Sequence, residues 1–157
     1  MDKEKVAVTI SRVTEQNIND FLGLISKLAE FENLPSPTAE AKTRLRNDCL
    51  AIDPKFQAYI AKLDGNPAGY IVYFFTYSTF LALPTLFLED IFVLEEYRRQ
   101  GVGKALFNFV IEAAKRDGCG RIEFNVLKWN TQAQAFYESN GAQRVEWFLY
   151  RIGKDKF

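Results

Sequence analysis

The sequence predicts a mixed α/β fold in which a central sheet carries helices packed on its faces. Three observations support this prediction: strand-like and helix-like periodicities follow one another along the chain, a strong turn signal joins two strands, and a strand-helix-strand unit occupies the second half. With 157 residues, 48% of them hydrophobic, the chain is long enough to bury one substantial core. We therefore expect a single domain over residues 1–157.

The first elements are a strand and a helix. Residues 6–12 alternate apolar and polar side chains, as a half-buried strand does. Thr14 is a candidate N-cap for a helix whose apolar residues recur at intervals of three and four. The helix should end near Asn33, because Pro35 follows.

A polar helix and a hairpin come next. Thr38 is a candidate cap for a short helix that runs to about Leu50. Residues 56–63 and 68–76 are rich in apolar strand formers, and Asp64-Gly65-Asn66-Pro67 lies between them. This tetrapeptide is a strong turn signal, so the two segments should form a hairpin.

The second half of the sequence is predicted to form a strand, a helix, a strand, a second helix and a last strand. Residues 86–94 form an apolar strand interrupted by two acidic side chains, and the following amphipathic helix ends at Asp117-Gly118. Residues 121–127 form the next strand, which completes a crossover unit. A helix over residues 130–139 and a last strand over residues 145–152 complete the chain.

Composition excludes several classes of function. Twenty basic and twenty acidic residues cancel, so we expect no nucleic-acid partner and no anionic membrane partner. The chain contains no histidine, which removes Ser-His-Asp hydrolysis and histidine-ligated zinc chemistry. Cys49 and Cys119 lack metal-ligand spacing, so we expect reduced thiols and no metal. No segment resembles a signal peptide or a membrane span, which predicts a cytoplasmic protein.

A glycine-containing loop precedes the helix of the crossover unit. Backbone N–H groups at such a strand-to-helix junction, together with the positive end of the helix dipole, suit a pyrophosphate. A lone G-x-G is more often only the start of a helix, and this loop has neither the length of a nucleotide P-loop nor a six-residue dinucleotide fingerprint. The arginine and lysine side chains of the loop strengthen the prediction of an anion site. The loop consists of Arg98, Arg99, Gln100, Gly101, Val102, Gly103 and Lys104.

This loop resembles the [QR]-x-x-G-x-[GA] acetyl-CoA loop of the GNAT superfamily. Its surroundings, LEDIFVLEEYRRQGVGKAL and then FNVLKWNTQAQAFYESNGA, are similar in order and spacing to the diamine acetyltransferases. The similarity is strongest over residues 56–142. It implies a GNAT-like, mostly antiparallel sheet flanked by helices on both faces, acetyl-CoA as cosubstrate, a small-molecule amine as acceptor, most simply a polyamine or diamine, and a homodimer.

The resemblance implies two catalytic side chains. Glu89 matches the glutamate that serves as base, and an acceptor ammonium with a pKa of about 10.4 needs such a base near neutral pH. Tyr137 matches the tyrosine that protonates the departing thiolate. Strand alternation places Glu89 and Asp90 on opposite faces, so we do not expect them to act as a pair. A charged sheet edge and a core-boundary tyrosine are the alternative explanations.

The same resemblance suggests binding residues. The pantetheine arm and the acetyl group should meet Ile91, Phe92 and Val93, where we expect a strand bulge, and the later helix should contribute Asn130 and Ala133. Asn130 could equally be a simple helix cap. The amine side should include acidic and aromatic groups, since these attract cations. The candidates are Phe31, Glu32, Glu89, Asp90, Glu123 and Asn125.

Two other functions remain open at this stage. One is N-acetyl transfer to a lysine-like amino acid, an amino-sugar drug or a protein amine, because the same loop serves all of these acceptors. The other belongs to a different class: a noncatalytic acyl-CoA-binding module that keeps the fold without turnover. Glu89 and Tyr137 favour an enzyme over this module.

Overall fold

The computed structural model describes residues 7–157. These residues divide into two compact units, and the division falls between residues 125 and 126 of the chain. The first unit, up to Asn125, contains the whole sheet, and the second unit is Val126–Phe157. The assignment of residues 1–157 to one domain stays a prediction. No helix among residues 7–157 has the length and apolarity to cross a membrane.

The first unit contains eight of the predicted elements. The order is strand, two helices, three strands, helix and strand, which is the order that the sequence predicts. The bounds are β1 (Val8–Arg12), α1 (Ile18–Phe31), α2 (Ala39–Leu50), β2 (Gln57–Leu63), β3 (Asn66–Ser78), β4 (Leu83–Val93), α3 (Val102–Arg116) and β5 (Arg121–Glu123).

The five strands form one sheet in the order β1-β2-β3-β4-β5. The first four strands pair antiparallel with their neighbours, and β5 pairs parallel with β4 across the α3 connection. Parallel neighbours need such a crossover, whereas antiparallel ones can be joined by a tight turn like the one at Asp64-Gly65. The expected mixed, mostly antiparallel sheet is confirmed.

Helices cover both faces of this sheet. On one face, Val102, Leu106 and Val110 of α3 pack with buried side chains of β2, β3 and β4. On the other face, Phe21 and Leu24 of α1 pack with another set of buried strand residues. Burying these apolar side chains supplies the main favourable contribution to folding, so the two helices fix the sheet between them. The prediction of helices on both faces is confirmed.

The register of β4 changes at Glu89. Val72 of β3 pairs with Asp90 and Tyr73 pairs with Leu88, so Glu89 is the extra residue of a β-bulge. Regular alternation would put Leu88 and Asp90 on the same face. Instead Leu88 and Ile91 both pack on the α3 face, three positions apart.

Both acidic residues therefore lie on the α1 side of the sheet. The Glu89 side chain lies on the side of the sheet opposite to that of its neighbour Leu88. The Asp90 carboxylate accepts a hydrogen bond from Tyr70, which belongs to the core on the α1 face. The expectation of opposite faces for Glu89 and Asp90 is wrong, because it assumed an uninterrupted pleat. The bulge that we expected at Phe92 and Val93 is located at Glu89 instead.

The pairing between β4 and β5 is short. It joins Thr85, Leu86 and Phe87 to residues 121–123, although the sequence predicts a strand through residue 127. Among residues 7–157, no strand continues along this side of β4 from Leu88 to Val93. The backbone of β4 next to the bulge is consequently left without a strand partner on one edge.

Two helix caps test the sequence reasoning. The Thr38 hydroxyl accepts a hydrogen bond from the Ala41 amide at 3.1 Å, as a side-chain N-cap does, which confirms that prediction. Thr14 is not the cap of α1. Its own amide donates to Asn17 Oδ1 at 2.7 Å, and the helix begins at Ile18 after this turn.

The second unit contains one α-helix, α4 (Thr131–Ser139), capped by Asn130 through a 3.1 Å hydrogen bond from the Ala133 amide. The helix and its cap agree with the prediction. The predicted strand over residues 145–152 is absent from the described part of the chain. A strand needs a neighbouring strand to satisfy its backbone groups, and this segment pairs with none among residues 7–157.

Candidate active site

The glycine loop has the backbone geometry of an anion site. Gly101 precedes α3 with a φ of 85°, and no side chain caps the helix. The Ala105 amide donates the first hydrogen bond of the helix, to the Gly101 carbonyl at 3.0 Å. The first-turn amides therefore precede the helical ladder, with the positive end of the helix dipole behind them. These features fit a diphosphate such as that of coenzyme A.

Arg98, the first residue of the loop, is engaged with the protein itself. Its Nε donates a 2.9 Å hydrogen bond to the Val93 carbonyl. Its guanidinium carbon lies 4.7 Å from the ring centre of Phe31 and 5.8 Å from that of Phe92. Arg98 thus connects the glycine loop to the end of α1 and to the end of β4, and it positions these segments relative to one another.

Replacing Arg98 tests this role. We expect Arg98→Met to lower the free energy of unfolding by about 1–3 kcal/mol, because it removes a charged hydrogen bond and two ring contacts. Arg98→Lys should recover only part of the loss, since an ammonium lacks the planar fork. Urea unfolding measures both. Arg44→Met, at an exposed position of α2, is the matched control, and an equal loss there would contradict the role.

An acidic cluster lies on the α1 side of the bulge. The buried Tyr70 hydroxyl donates to Asp90 Oδ2 at 3.2 Å. Burial raises the pKa of Asp90 to about 6, and the negative charges of Glu89 and Glu32 add to the rise while the Tyr70 hydrogen bond opposes it. Burial also raises the pKa of Glu32. We call Glu32, Glu89, Asp90 and Tyr70 the acidic cluster.

The carboxyl groups of the cluster repel one another. Three carboxyl groups act on one another strongly enough for Glu89 and Glu32 to raise the pKa of Asp90. The buried Tyr70 hydroxyl also has a pKa well above its usual value, through burial first and then the nearby Asp90 charge. An ammonium group placed here would offset this repulsion.

The raised pKa of Asp90 predicts a pH-dependent stability. Between about pH 4 and pH 6 the folded chain holds a proton on Asp90 that the unfolded chain has lost, so this contribution to stability decreases as pH rises through that window. Asp90→Asn keeps an acceptor for Tyr70 and removes the titration. We expect the free energy of unfolding of the variant, relative to that of the parent, to rise by about 2 kcal/mol as pH increases from 4 to 7. Asp53→Asn, which removes a carboxylate from an exposed segment, is the matched control, and an equal gain there would contradict the role of Asp90.

Glu89 differs from its neighbour in accessibility. It is exposed, whereas Asp90 is only partly exposed. A proton acceptor must reach a substrate and release its proton to solvent, so an accessible bulge position suits Glu89 better than a buried one.

Two of the proposed substrate residues lie apart from these contacts. Glu123 forms an ion pair with Arg121 at 2.5 Å, and both side chains are about half exposed. Asn125 is exposed at the end of the first unit. The structure brings Phe31, Glu32, Glu89 and Asp90 into one region through Arg98 and Tyr70, and records no contact that adds Glu123 or Asn125 to it.

The second unit contains the remaining candidates on α4. Asn130 Oδ1 is used as the helix cap, and the Ala133 amide is its donor. Tyr137 is partly buried, and burial raises its pKa to about 12. Its hydroxyl is protonated at neutral pH, as it already would be at the usual tyrosine pKa of about 10.

Sequence reasoning missed Tyr70 and the positioning role of Arg98. In the sequence, Tyr70 is one of several aromatic residues in a segment predicted to be a buried strand. The strand register that pairs Tyr70 with Phe92 brings it beside Asp90. Arg98 reads as a phosphate ligand because its loop is basic. Among residues 7–157, no group of three or more His, Cys, Asp or Glu side chains is arranged to hold a metal ion.

Comparisons with known proteins agree with this geometry. The profile of the family described as "Acetyltransferase (GNAT) family" matches residues 23–142. Thialysine N-epsilon-acetyltransferase of Bos taurus is 34% identical over 157 aligned residues, covering 92% of each chain. L-ornithine N5-acetyltransferase NATA1 of Arabidopsis thaliana is 45% identical over 89 residues, which are 56% of this chain and 39% of that protein.

Solved structures show the same fold. A possible acetyltransferase from Clostridium difficile 630 has a TM-score of 0.81 at 19% identity, covering 93% of this chain and 97% of that one. The aminoglycoside N-acetyltransferase AAC(6')-Iy in complex with CoA has a TM-score of 0.78 at 21% identity, covering 98% and 99%. With a family match over more than half of its length, the chain belongs to the acetyltransferase (GNAT) family and is an acyltransferase enzyme.

Proposed function

We propose that this enzyme transfers the acetyl group of acetyl-CoA to the side-chain amine of a lysine-like amino acid. The acidic cluster supports the proposal, because three neighbouring carboxyls, two partly buried and one exposed, suit an acceptor that carries ammonium groups. The names of the similar proteins, which act on thialysine and on L-ornithine, favour an amino-acid acceptor.

Glu89 is the proposed base. An ammonium with a pKa of about 10.4 is neutral in roughly one molecule in several thousand at pH 7, so its proton has to be removed before the nitrogen can attack. The exposed Glu89 carboxylate accepts that proton, directly or through a water molecule. Acetyl-CoA supplies a reactive thioester carbonyl as the acetyl donor. Tyr137, whose hydroxyl is protonated at neutral pH, donates a proton to the leaving sulfur.

The cosubstrate contacts are proposed for two backbone segments and the loop side chains. The first-turn amides of α3, with Arg99, Gln100 and Lys104 around them, would hold the diphosphate. The edge of β4 at Ile91, Phe92 and Val93, along which no strand runs among residues 7–157, would face the pantetheine arm. Asn130 and Ala133 remain proposed contacts on α4.

A polyamine or diamine is the second candidate acceptor. Glu32 and Asp90 offer carboxyls that would also hold the distal cation of a diamine. Phe31, whose ring already lies beside the Arg98 guanidinium, would line the same region. The relatives do not establish polyamine specificity for this chain. Glu123 and Asn125 would line the amine side in either case.

A thiol-release assay decides between these acceptors. Purified enzyme with acetyl-CoA is tested against thialysine, lysine, ornithine, spermidine, putrescine, an aminoglycoside and a lysine peptide. We expect the highest kcat/KM with the lysine-like amino acids. Highest kcat/KM with spermidine or putrescine would favour the second candidate. Binding of acetyl-CoA by calorimetry without thiol release from any amine would favour a noncatalytic module.

Two further proposals concern the protein as a whole. We propose a homodimer, which the resemblance implies and which sedimentation equilibrium would test against the 18.0 kDa mass of one chain. We also propose a cytoplasmic location, which microscopy of the fluorescently tagged chain would test.

A further inference from the structure

The side chain of Tyr70 is fixed by its surroundings. It is fully buried in the core on the α1 face, where its ring meets Phe21 edge-on at a centroid distance of 5.5 Å and Phe92 at 6.3 Å. Tyr70 also lies on β3 between β2 and β4, so its backbone is paired on both sides. Such close packing leaves the ring one position, and this position determines where the hydroxyl can donate.

The Tyr70 hydroxyl donates to one oxygen of Asp90 and leaves the other one available. Asp90 lies opposite Val72, two residues along β3 from Tyr70, so all three side chains share the α1 side of the sheet. The 3.2 Å hydrogen bond reaches Oδ2. Oδ1 accepts none from the described residues, and it reaches solvent, since no buried side-chain oxygen among them lacks a partner.

The hydrogen bond from Tyr70 favours the charged form of Asp90. Burial first, and then the charges of Glu89 and Glu32, raise the pKa of Asp90 to about 6, whereas the Tyr70 hydrogen bond lowers it. These groups belong to β4, to the end of α1 and to β3, and they are the titratable groups that act on Asp90. Tyr70 therefore works against its surroundings to keep a carboxylate that can bind a cation.

Stability alone does not account for this pair. The charge of Asp90 is opposed by burial and by two neighbouring carboxyls, so a neutral acceptor such as an asparagine amide would satisfy the Tyr70 hydroxyl at a lower cost in stability. Proteins retain unfavourable groups of this kind where function requires them. The pair is thus better explained by a role in binding than by a role in folding.

A lysine-like acceptor carries two ammonium groups, and only one of them reacts. Glu89 is the proposed acceptor of the proton from the reacting group. The other ammonium keeps its proton, so it needs a carboxylate that stays charged beside it. We infer that Tyr70 is a positioning residue, which holds Asp90 so that its free carboxylate oxygen binds the acceptor ammonium that does not react. This inference rests on the acetyl transfer proposed above and names the group that selects a second cation.

Two acceptors that differ by one ammonium test the inference. Lysine and 6-aminohexanoate share a carboxylate and a terminal amine, but 6-aminohexanoate lacks the second ammonium. At pH 7.5 we expect the parent enzyme to have a kcat/KM about 10- to 100-fold higher for lysine, which is the effect of a hydrogen bond between charged groups. Tyr70→Phe, which keeps the ring, should lower this ratio by about 3- to 10-fold, mainly by raising the KM for lysine.

Tyr73→Phe is the matched control. Tyr73 is equally buried on the same strand, but it belongs to the core on the α3 face, so losing its hydroxyl should leave the ratio at the parent value. An unchanged ratio in Tyr70→Phe, or an equal fall in the control, would overturn the inference.

The pH profile of the ratio separates positioning from packing. In the parent the ratio should fall below about pH 6 as Asp90 takes up a proton, and in Tyr70→Phe the fall should begin at a higher pH, because the hydrogen bond that lowers the pKa of Asp90 is lost. In an Asp90→Asn background, Tyr70→Phe should change the ratio by less than about twofold. A profile that does not move, or an equal effect in both backgrounds, would assign Tyr70 to packing alone.

Calorimetry in the presence of coenzyme A gives the same ratio as Kd values, without turnover. Equal or undetectable affinity of the parent for lysine and 6-aminohexanoate would overturn this inference. Thiol release with spermidine in place of lysine would overturn the acceptor proposed above, so the two failures are distinguishable.

Discussion

Glu89→Gln is expected to lower kcat by about 10²- to 10⁴-fold near pH 7, because the amide cannot accept the proton of the acceptor ammonium. The loss should shrink as pH approaches the pKa of the amine, about 10.4, where half of the acceptor is already neutral. Turnover measured from pH 6.5 to pH 10 with saturating acetyl-CoA gives the profile. The glutamine is nearly isosteric, so the bulge should remain.

The matched control is Glu112→Gln on α3. Glu112 pairs with Lys115 at the surface, with both side chains about two-thirds exposed, so losing its charge should change kcat by less than about twofold. A loss at Glu89 that is the same at every pH would assign this residue to structure and not to proton transfer.

Gly103→Leu is expected to weaken acetyl-CoA binding by about 10- to 100-fold, the amount that one or two hydrogen bonds to a charged group contribute. Gly103 lies in the first turn of α3, where a large side chain would occupy the space that a diphosphate needs next to the amides. Leucine favours the helix over glycine by nearly 1 kcal/mol, so the fold should be preserved. Calorimetric titration with acetyl-CoA and thermal unfolding separate the two effects.

Gly23→Ala serves as the control for this change. Gly23 lies inside α1, and an added Cβ would have no atom within 4 Å. The alanine variant should gain up to about 1 kcal/mol of stability and keep the parent affinity. Unaltered acetyl-CoA affinity in Gly103→Leu would remove the loop from the binding site.

The sequence could predict what depends on local pattern. Both hairpin strands, the amphipathic helix α3, the Thr38 cap and the Asn130 cap follow from periodicity and from side chains that bond to nearby amides. Even the Gly101 conformation was foreseeable, because a glycine at a strand-to-helix junction commonly adopts positive φ.

Features that depend on distant partners were not predictable in this way. Residues 145–152 have the composition of a strand but pair with none in the described chain, since composition does not supply a neighbour. Asn17, not Thr14, is the residue before α1, and its side chain bonds to the preceding turn instead of to a helix amide, because Oδ1 accepts from the Thr14 amide. In the candidate site, the Arg98 contacts and the Tyr70–Asp90 hydrogen bond required the pairing of β3 with β4.

The bulge makes the length of β4 a determinant of its chemistry. Deleting Glu89 would place Leu88 next to Asp90 in the chain, opposite Tyr73 and Val72, so the pleat would become regular and residues 90–93 would keep their sides of the sheet. The deletion would therefore remove the exposed carboxylate and leave Asp90 in place. In a regular strand two consecutive side chains face opposite sides, so only an inserted residue can put two adjacent carboxyls on one side.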